Sequence, residues 1–197
     1  MNYKKKLGIK LVLIGDSSAG KTSIVNRYID NNFSDDIEET KIPEKNIKII
    51  EYEDYIINLI IYDTSGIERY IIGSLECTRG ADGIIFVFDV TSEQSFNTMI
   101  NYKSFAYEYN QNYIGIICVN KIDLVKDDKW TPDVFSKYGI DNKINIFRTS
   151  AKNGININEA FNKLIELIME KKTKNLIDND NGLSRFNKLN KYLNFLN

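Results

Sequence analysis

The segment Gly15-Asp16-Ser17-Ser18-Ala19-Gly20-Lys21-Thr22 constrains this chain more than any other stretch of it. It meets the spacing G-x-x-x-x-G-K-S/T, follows the apolar run 9–14, and leads directly into a helix pattern over 21–30. A strand, a glycine-bearing loop and a helix in that order form a cradle for phosphate. Successive backbone N–H groups surround the anion, the helix start favours its charge, Lys21 reaches the β- and γ-phosphates, and the Thr22 hydroxyl ligates Mg²⁺. Ser23, next in line, belongs to the same candidate set. Alone, the loop implies a nucleoside triphosphate and says nothing about the base. A chance glycine turn is the competing reading, and the flanking strand and helix weigh against it.

Apolar, β-branched runs recur at 9–14, 47–52, 55–62, 84–90, 114–119 and 144–147, which predicts six strands. The polar pair Glu53-Asp54 between the second and third suits a hairpin, so one antiparallel edge strand joins an otherwise parallel sheet. Segments 21–30, 93–110 and 156–172 read as helices, the last with Ile157, Ala160, Phe161, Leu164, Ile165 and Ile168 along one face. The predicted fold class is α/β, with helices on both faces of the sheet and ligands bound outside the carboxyl ends of its strands. A length of 197 residues, 43% hydrophobic and 27% charged, suits one soluble domain over 1–172. Residues 173–182 read as a polar linker. Leu183, Phe186, Leu189, Leu193 and Leu196 then read as a short amphipathic helix that folds back on the domain, with membrane or partner contact as the alternative.

Net charge is −1, from 26 basic and 27 acidic residues, so no global field draws the chain to nucleic acid or anionic lipid. There is no histidine, and the only cysteines are Cys77 and Cys118, which argues against a disulfide framework, histidine-based catalysis and the usual transition-metal sites. The longest apolar runs are strand-sized and far below a membrane span. A reducing cytoplasmic setting is expected.

Base identity is encoded at two later strand ends, Asn120-Lys121-Ile122-Asp123 and Thr149-Ser150-Ala151-Lys152. A carboxylate at Asp123 accepts two N–H bonds from the guanine edge, which adenine does not offer, while the stems of Lys121 and Lys152 cover the ring faces. An adenine would leave that carboxylate unpaired, so discrimination is expected to be strong. Either tetrapeptide alone reads equally well as an ordinary polar strand end; both together, in order and after the right strands, do not.

With these motifs the chain resembles the Ras superfamily, and within it the Rab group. The resemblance spans 10 to about 172 and includes Gly15 to Thr22, Thr40, Asp63-Thr64-Ser65-Gly66, Arg79-Gly80-Ala81-Asp82-Gly83, Asp89-Val90-Thr91 and the two base motifs. It implies a P-loop NTPase G domain that hydrolyses GTP to GDP and phosphate. It also implies that Thr40 closes on Mg²⁺ and the γ-phosphate, that Asp63 holds Mg²⁺ through water, that the Gly66 amide senses the γ-phosphate, and that Phe33 lies beside the guanine. The implied partners are an exchange factor, an activating protein and effectors, engaged through the switch regions 33–45 and 63–78. The implied role is in vesicle trafficking, with peripheral contact with endomembranes.

Four departures from the family pattern qualify that implication. Ile67 stands where the family carries the glutamine that orients the attacking water, so intrinsic hydrolysis is expected to be slow. By resemblance, an activating protein of the Rab type supplies both an arginine and a glutamine and restores turnover; a nucleotide-locked binding module is the alternative reading. Ser65 and Ser18 replace small residues near the phosphates and are expected to be tolerated. On the partner surface, Lys41-Ile42-Pro43-Glu44-Lys45 departs from the Rab pattern, and Lys45, Tyr62 and Thr78 occupy positions that usually hold three aromatics, so common Rab effectors should bind poorly. Finally, the last six residues, 192–197, contain no cysteine for a prenyl anchor.

Overall fold

The structure, a computed structural model, describes residues 4–67, 70–127, 129–140 and 144–193, with side chains as far as 175. Six strands, β1 (Lys5–Gly15), β2 (Glu44–Tyr52), β3 (Tyr55–Asp63), β4 (Gly83–Asp89), β5 (Ile114–Asn120) and β6 (Asn145–Arg148), form one sheet in the order β2-β3-β1-β4-β5-β6. Only the β2–β3 pair is antiparallel. Its hairpin turns at Glu53, whose φ of 48° places a non-glycine residue in the left-handed region. The helices are α1 (Lys21–Asp30), α2 (Ile71–Glu76), α3 (Glu93–Tyr109), α4 (Pro132–Lys137) and α5 (Ile157–Leu193).

Side chains alternate across β1 with the period of two that a strand imposes. Ile9, Leu11 and Leu13 enter a core closed by α1 and α5, whereas Val12 and Ile14 enter a second core closed by α3 and α4. Burial on both faces is what a parallel sheet requires. On the first face, Ile157, Ala160, Phe161, Leu164, Ile165 and Ile168 of α5 are all buried, the stripe its spacing predicted, and Tyr28 of α1 stacks on Phe161 with ring centroids 3.7 Å apart. On the second, Phe88, Phe96, Trp130 and Phe135 form an aromatic cluster under α3 and α4.

Two features differ from the expectation. Helices α2 and α4 are single short pieces with too few residues to show a period, although Thr131 caps α4 and Pro132 opens it. The segment 173–182 lies within α5, which continues to Leu193. A polar stretch without proline does not interrupt a helix already nucleated by the packed turns before it, because each added residue gains one backbone bond. Leu196 and residues 194–197 lie outside the described residues, as do Glu68 and Arg69 of the region 63–78. Among the described residues no helix is long and apolar enough to cross a membrane.

Cys118 lies in the middle of β5, 1% exposed, and burial pushes its thiol up to about 12. Cys77 is half-buried and is also raised by burial. A thiol reagent at pH 8 is therefore expected to label the native protein slowly at Cys77 and not at Cys118, with both reacting at once in denaturant, as peptide mapping of the labelled chain would show.

Candidate nucleotide and metal site

Because five of the six strands run parallel, the loops after β1, β3, β5 and β6 gather on one side of the sheet, and there they enclose a cavity of about 380 Å³. That volume is ample for a mononucleotide-sized ligand. The phosphate loop forms one wall. Gly20 has a φ of 92°, and a Cβ there would lie 2.3 Å from Asn120 Nδ2, so both the backbone and the space demand glycine. Lys21, 5% exposed, lies under the loop and donates from Nζ to the Gly15 and Asp16 carbonyls at 3.0 and 2.7 Å. Burial lowers its pKa to about 8, against the pull of Asp63, Asp16 and Glu39. An ammonium so placed gains most from an anion in the cavity.

Beside it, Thr22 Oγ1 donates to Asp63 Oδ2 at 2.6 Å and lies 3.0 Å from Thr40 Oγ1, which itself is 3.4 Å from Asp63 Oδ2. Three residues far apart in sequence thus present hard oxygen donors at one point. Asp63 Oδ1 is buried without a partner, and burial raises the carboxyl's pKa despite the Thr22 bond and the Lys21 charge. A buried, unsatisfied carboxylate oxygen beside two hydroxyls fits a hard divalent cation such as Mg²⁺, which keeps several waters and takes few protein ligands.

Gly66 closes the same end. A Cβ on it would fall 2.3 Å from both Ser17 N and Asp16 C, so the loop after β3 lies directly on the phosphate loop. Ser65 does not face the cavity: its hydroxyl accepts from the Ile67 N–H at 3.2 Å, while its carbonyl accepts from the buried Ser74 hydroxyl at 2.9 Å. Ile67 is half-buried and follows this anchored turn.

At the other end Lys121, Asp123, Ala151, Lys152 and Phe33 line the cavity. Asp123 Oδ1 accepts from Ser150 Oγ at 2.5 Å, and Ser150 Oγ in turn accepts from the Asn153 N–H at 3.0 Å. The ammonium of Lys121 pairs with Asp89 Oδ2 at 2.6 Å. Burial alone would raise Asp89, but the Lys121 and Thr91 bonds outweigh it and hold the carboxyl below its usual range. Lys152 Nζ lies 5.9 Å from the centre of the Phe33 ring and 3.4 Å from Asp35.

Of the residues singled out in the sequence, Ser17, Ser18, Gly20, Lys21, Thr22 and Ser23 line the cavity from the phosphate loop, and Thr40, Gly66 and Asn120 line it with the five just named. Gly15, Asp16, Ala19, Asp63, Ile67 and Ser150 are not among the lining residues. Asn120 also acts as a brace, donating to the Ala19 carbonyl at 2.9 Å and accepting from the Ala151 N–H at 3.3 Å, so it ties the phosphate loop to the loop after β6. Among the contributors that went unnoticed in the sequence are two charged residues with tertiary partners. Arg27 of α1 donates to the Ala151 and Lys152 carbonyls at 2.8 and 2.9 Å and holds that loop in place. Glu39 lines the cavity and accepts from Ser17 Oγ. Neither has a local signature, since each reads as an ordinary surface charge.

The Ras family model matches residues 10–170. The chain is 36% identical over 163 residues to Ras-related protein Rab-13 of Mesocricetus auratus, which covers 82% of this chain and 80% of that protein. It is 33% identical over 168 residues to Ras-related protein Rab-3C of Bos taurus, covering 85% of this chain and 74% of that one.

Proposed function

The chain belongs to the Ras family, as a Rab-like small GTPase, and from that premise we propose that it is a GTP/GDP switch in vesicle trafficking that hydrolyses GTP slowly unaided. The observation that carries the reading is the single cavity shared by the phosphate loop, the Thr22–Thr40–Asp63 cluster and Asp123. Lys21 and the loop amides hold the β- and γ-phosphates, and Asp123 accepts from the guanine edge while Ser150 fixes its orientation. Phe33 and the stems of Lys121 and Lys152 flank the ring. Thr22, Thr40 and Asp63 would hold Mg²⁺, whose charge neutralises that developing on the phosphate oxygens. Ile67 contributes no hydrogen bond to an attacking water, which supports slow turnover. The same residue supports a second reading, a guanine-nucleotide-locked module with little hydrolysis.

Effector choice follows from the switch surface. Thr78 is fully buried and its hydroxyl donates to the Leu75 carbonyl at 2.6 Å, while Lys45 is exposed and Tyr62 lies under Lys10, 5.1 Å from its ammonium. One aromatic of three is available for a partner, so effectors that read all three bind this chain poorly. Exchange and activating proteins of the Rab type are the expected regulators.

The test is nucleotide identification in the purified protein, followed by single-turnover GTP loss with and without a Rab-type activating domain. Guanine nucleotide retained and slow loss accelerated by the domain support the switch; no acceleration supports the locked module; ATP retained without guanine preference would overturn both. Binding also stabilises the fold, because Lys21 and Asp63 are buried charges that gain partners. At a thousandfold excess over Kd, GDP with Mg²⁺ contributes about 4 kcal/mol. For a domain of this size that raises Tm by about 10 °C over the nucleotide-free protein, while ADP does so far less.

A further inference from the structure

Glu39 precedes Thr40 in the segment between α1 and β2 and lines the same cavity as Lys21, Thr22 and Gly66. Its carboxylate is not simply a solvated loop charge: Oε1 accepts a hydrogen bond from Ser17 Oγ at 2.5 Å. Ser17 is itself the residue of the phosphate loop on which Gly66 lies, with its backbone nitrogen 2.3 Å from where a Gly66 Cβ would stand. The phosphate loop, the segment bearing Thr40 and the loop after β3 therefore meet at one end of the cavity, and a tethered negative charge stands among them. That charge also acts on the Lys21 ammonium.

We propose that Glu39 is a specificity-determining residue that favours GDP over GTP, its carboxylate held by Ser17 at the end of the cavity where a third phosphate must enter. The inference rests on the reading of this cavity as a guanine-nucleotide site. A diphosphate leaves the Ser17–Glu39 contact intact. A triphosphate carries about one further net negative charge, on a γ-phosphate brought against the carboxylate, and either breaks the contact, expelling the side chain, or suffers like-charge repulsion. Glu39 is exposed, so solvent screening keeps the penalty to roughly tenfold in affinity instead of the far larger figure for a buried pair. The consequence is a population shift: a chain that hydrolyses GTP slowly through Ile67 is returned toward its GDP form by weaker GTP binding.

The test uses the full chain with Mg²⁺ and measures equilibrium affinity for GDP and for a non-hydrolysable β,γ-imido analogue of GTP. Glu39→Gln keeps the shape and the hydrogen bond to Ser17 but removes the charge. It is expected to tighten the analogue by roughly tenfold and leave GDP within about twofold, with the gain shrinking as salt is raised. Glu39→Lys is expected to tighten the analogue further, again with little change in GDP. Equal shifts for both nucleotides, no change in either, or a weaker analogue in Glu39→Gln would each overturn the proposal while leaving the guanine site standing. A wild-type chain that binds neither nucleotide would overturn the site reading, and this inference with it.

Discussion

Replacing Ile67 with glutamine is expected to raise single-turnover GTP hydrolysis by tenfold or more while leaving GDP affinity unchanged. A group that orients a reacting partner in the transition state contributes on the order of tenfold to a thousandfold, and unaided hydrolysis by Ras, which carries that glutamine, is only about 3–5 × 10⁻⁴ per second. Ile67 follows Gly66, which is pressed on the Asp16–Ser17 peptide, and its own N–H is bound by Ser65 Oγ at 3.2 Å. The backbone at this position is thus held from two sides, so a glutamine there issues from a fixed point instead of a loose loop. Its amide supplies the hydrogen-bonding atoms that isoleucine lacks. Ile67→Leu is the control: it changes shape without adding a polar atom, and should hydrolyse no faster than wild type. Equal acceleration by leucine and glutamine would mean that loop loosening, not water positioning, limits the rate. With an activating domain that brings its own glutamine, the advantage of Ile67→Gln should shrink, which separates the intrinsic defect from the assisted reaction.

Most of the scaffold was legible because its signals are local. Helix α1 begins at Lys21 and ends at Asp30 as its pattern predicts, since the loop before it and Asn31 after it, with a φ of 53°, mark both ends. The β2–β3 hairpin was readable from two apolar runs around Glu53 and Asp54. The phosphate loop and the two base motifs were readable because each lies within a few residues of one strand end. What escaped is what depends on distance in space. Asn120 reads as a base contact, yet its side chain spans from the Ala19 carbonyl to the Ala151 N–H, a job that becomes visible only when the two loops are adjacent. Arg27 looks like a routine basic residue in the last turn of a helix, and only the fold brings it to the loop after β6. Glu39 sits in a charged, pattern-free stretch where solvation is the natural expectation; its bond to Ser17 joins residues 22 positions apart. In the opposite sense, the polarity of 173–182 suggested a break where the backbone continues, because helix propagation needs no apolar face.

Changing Asp123 to asparagine is expected to weaken GDP binding by roughly a thousandfold or more and to transfer preference to the xanthine nucleotide. Asp123 lies in the one-turn helix Ile122–Leu124 with Oδ1 engaged by the Ser150 hydroxyl at 2.5 Å. That hydroxyl accepts from the Asn153 N–H, so its own proton is committed to Asp123 and demands an acceptor there. In Asp123→Asn the amide oxygen must therefore take the place of Oδ1, which forces the NH₂ into the place of Oδ2. Guanine presents two N–H groups on this edge, and one of them now meets a donor. Sites built around buried hydrogen-bonding groups discriminate by about 10⁴-fold when one partner is mismatched, because an unpaired polar group is left without water. Xanthine carries a carbonyl where guanine carries its amino group, so the NH₂ finds an acceptor and the lost bond is restored. Parallel titrations with GDP and xanthosine diphosphate check this directly. Loss of GDP with a matching gain of the xanthine nucleotide assigns base reading to Asp123, because a merely unfolded variant binds neither. Retention of GDP within tenfold of wild type, or loss without any xanthine gain, would mean that guanine is selected elsewhere in the cavity and that Asp123 serves only to hold Ser150.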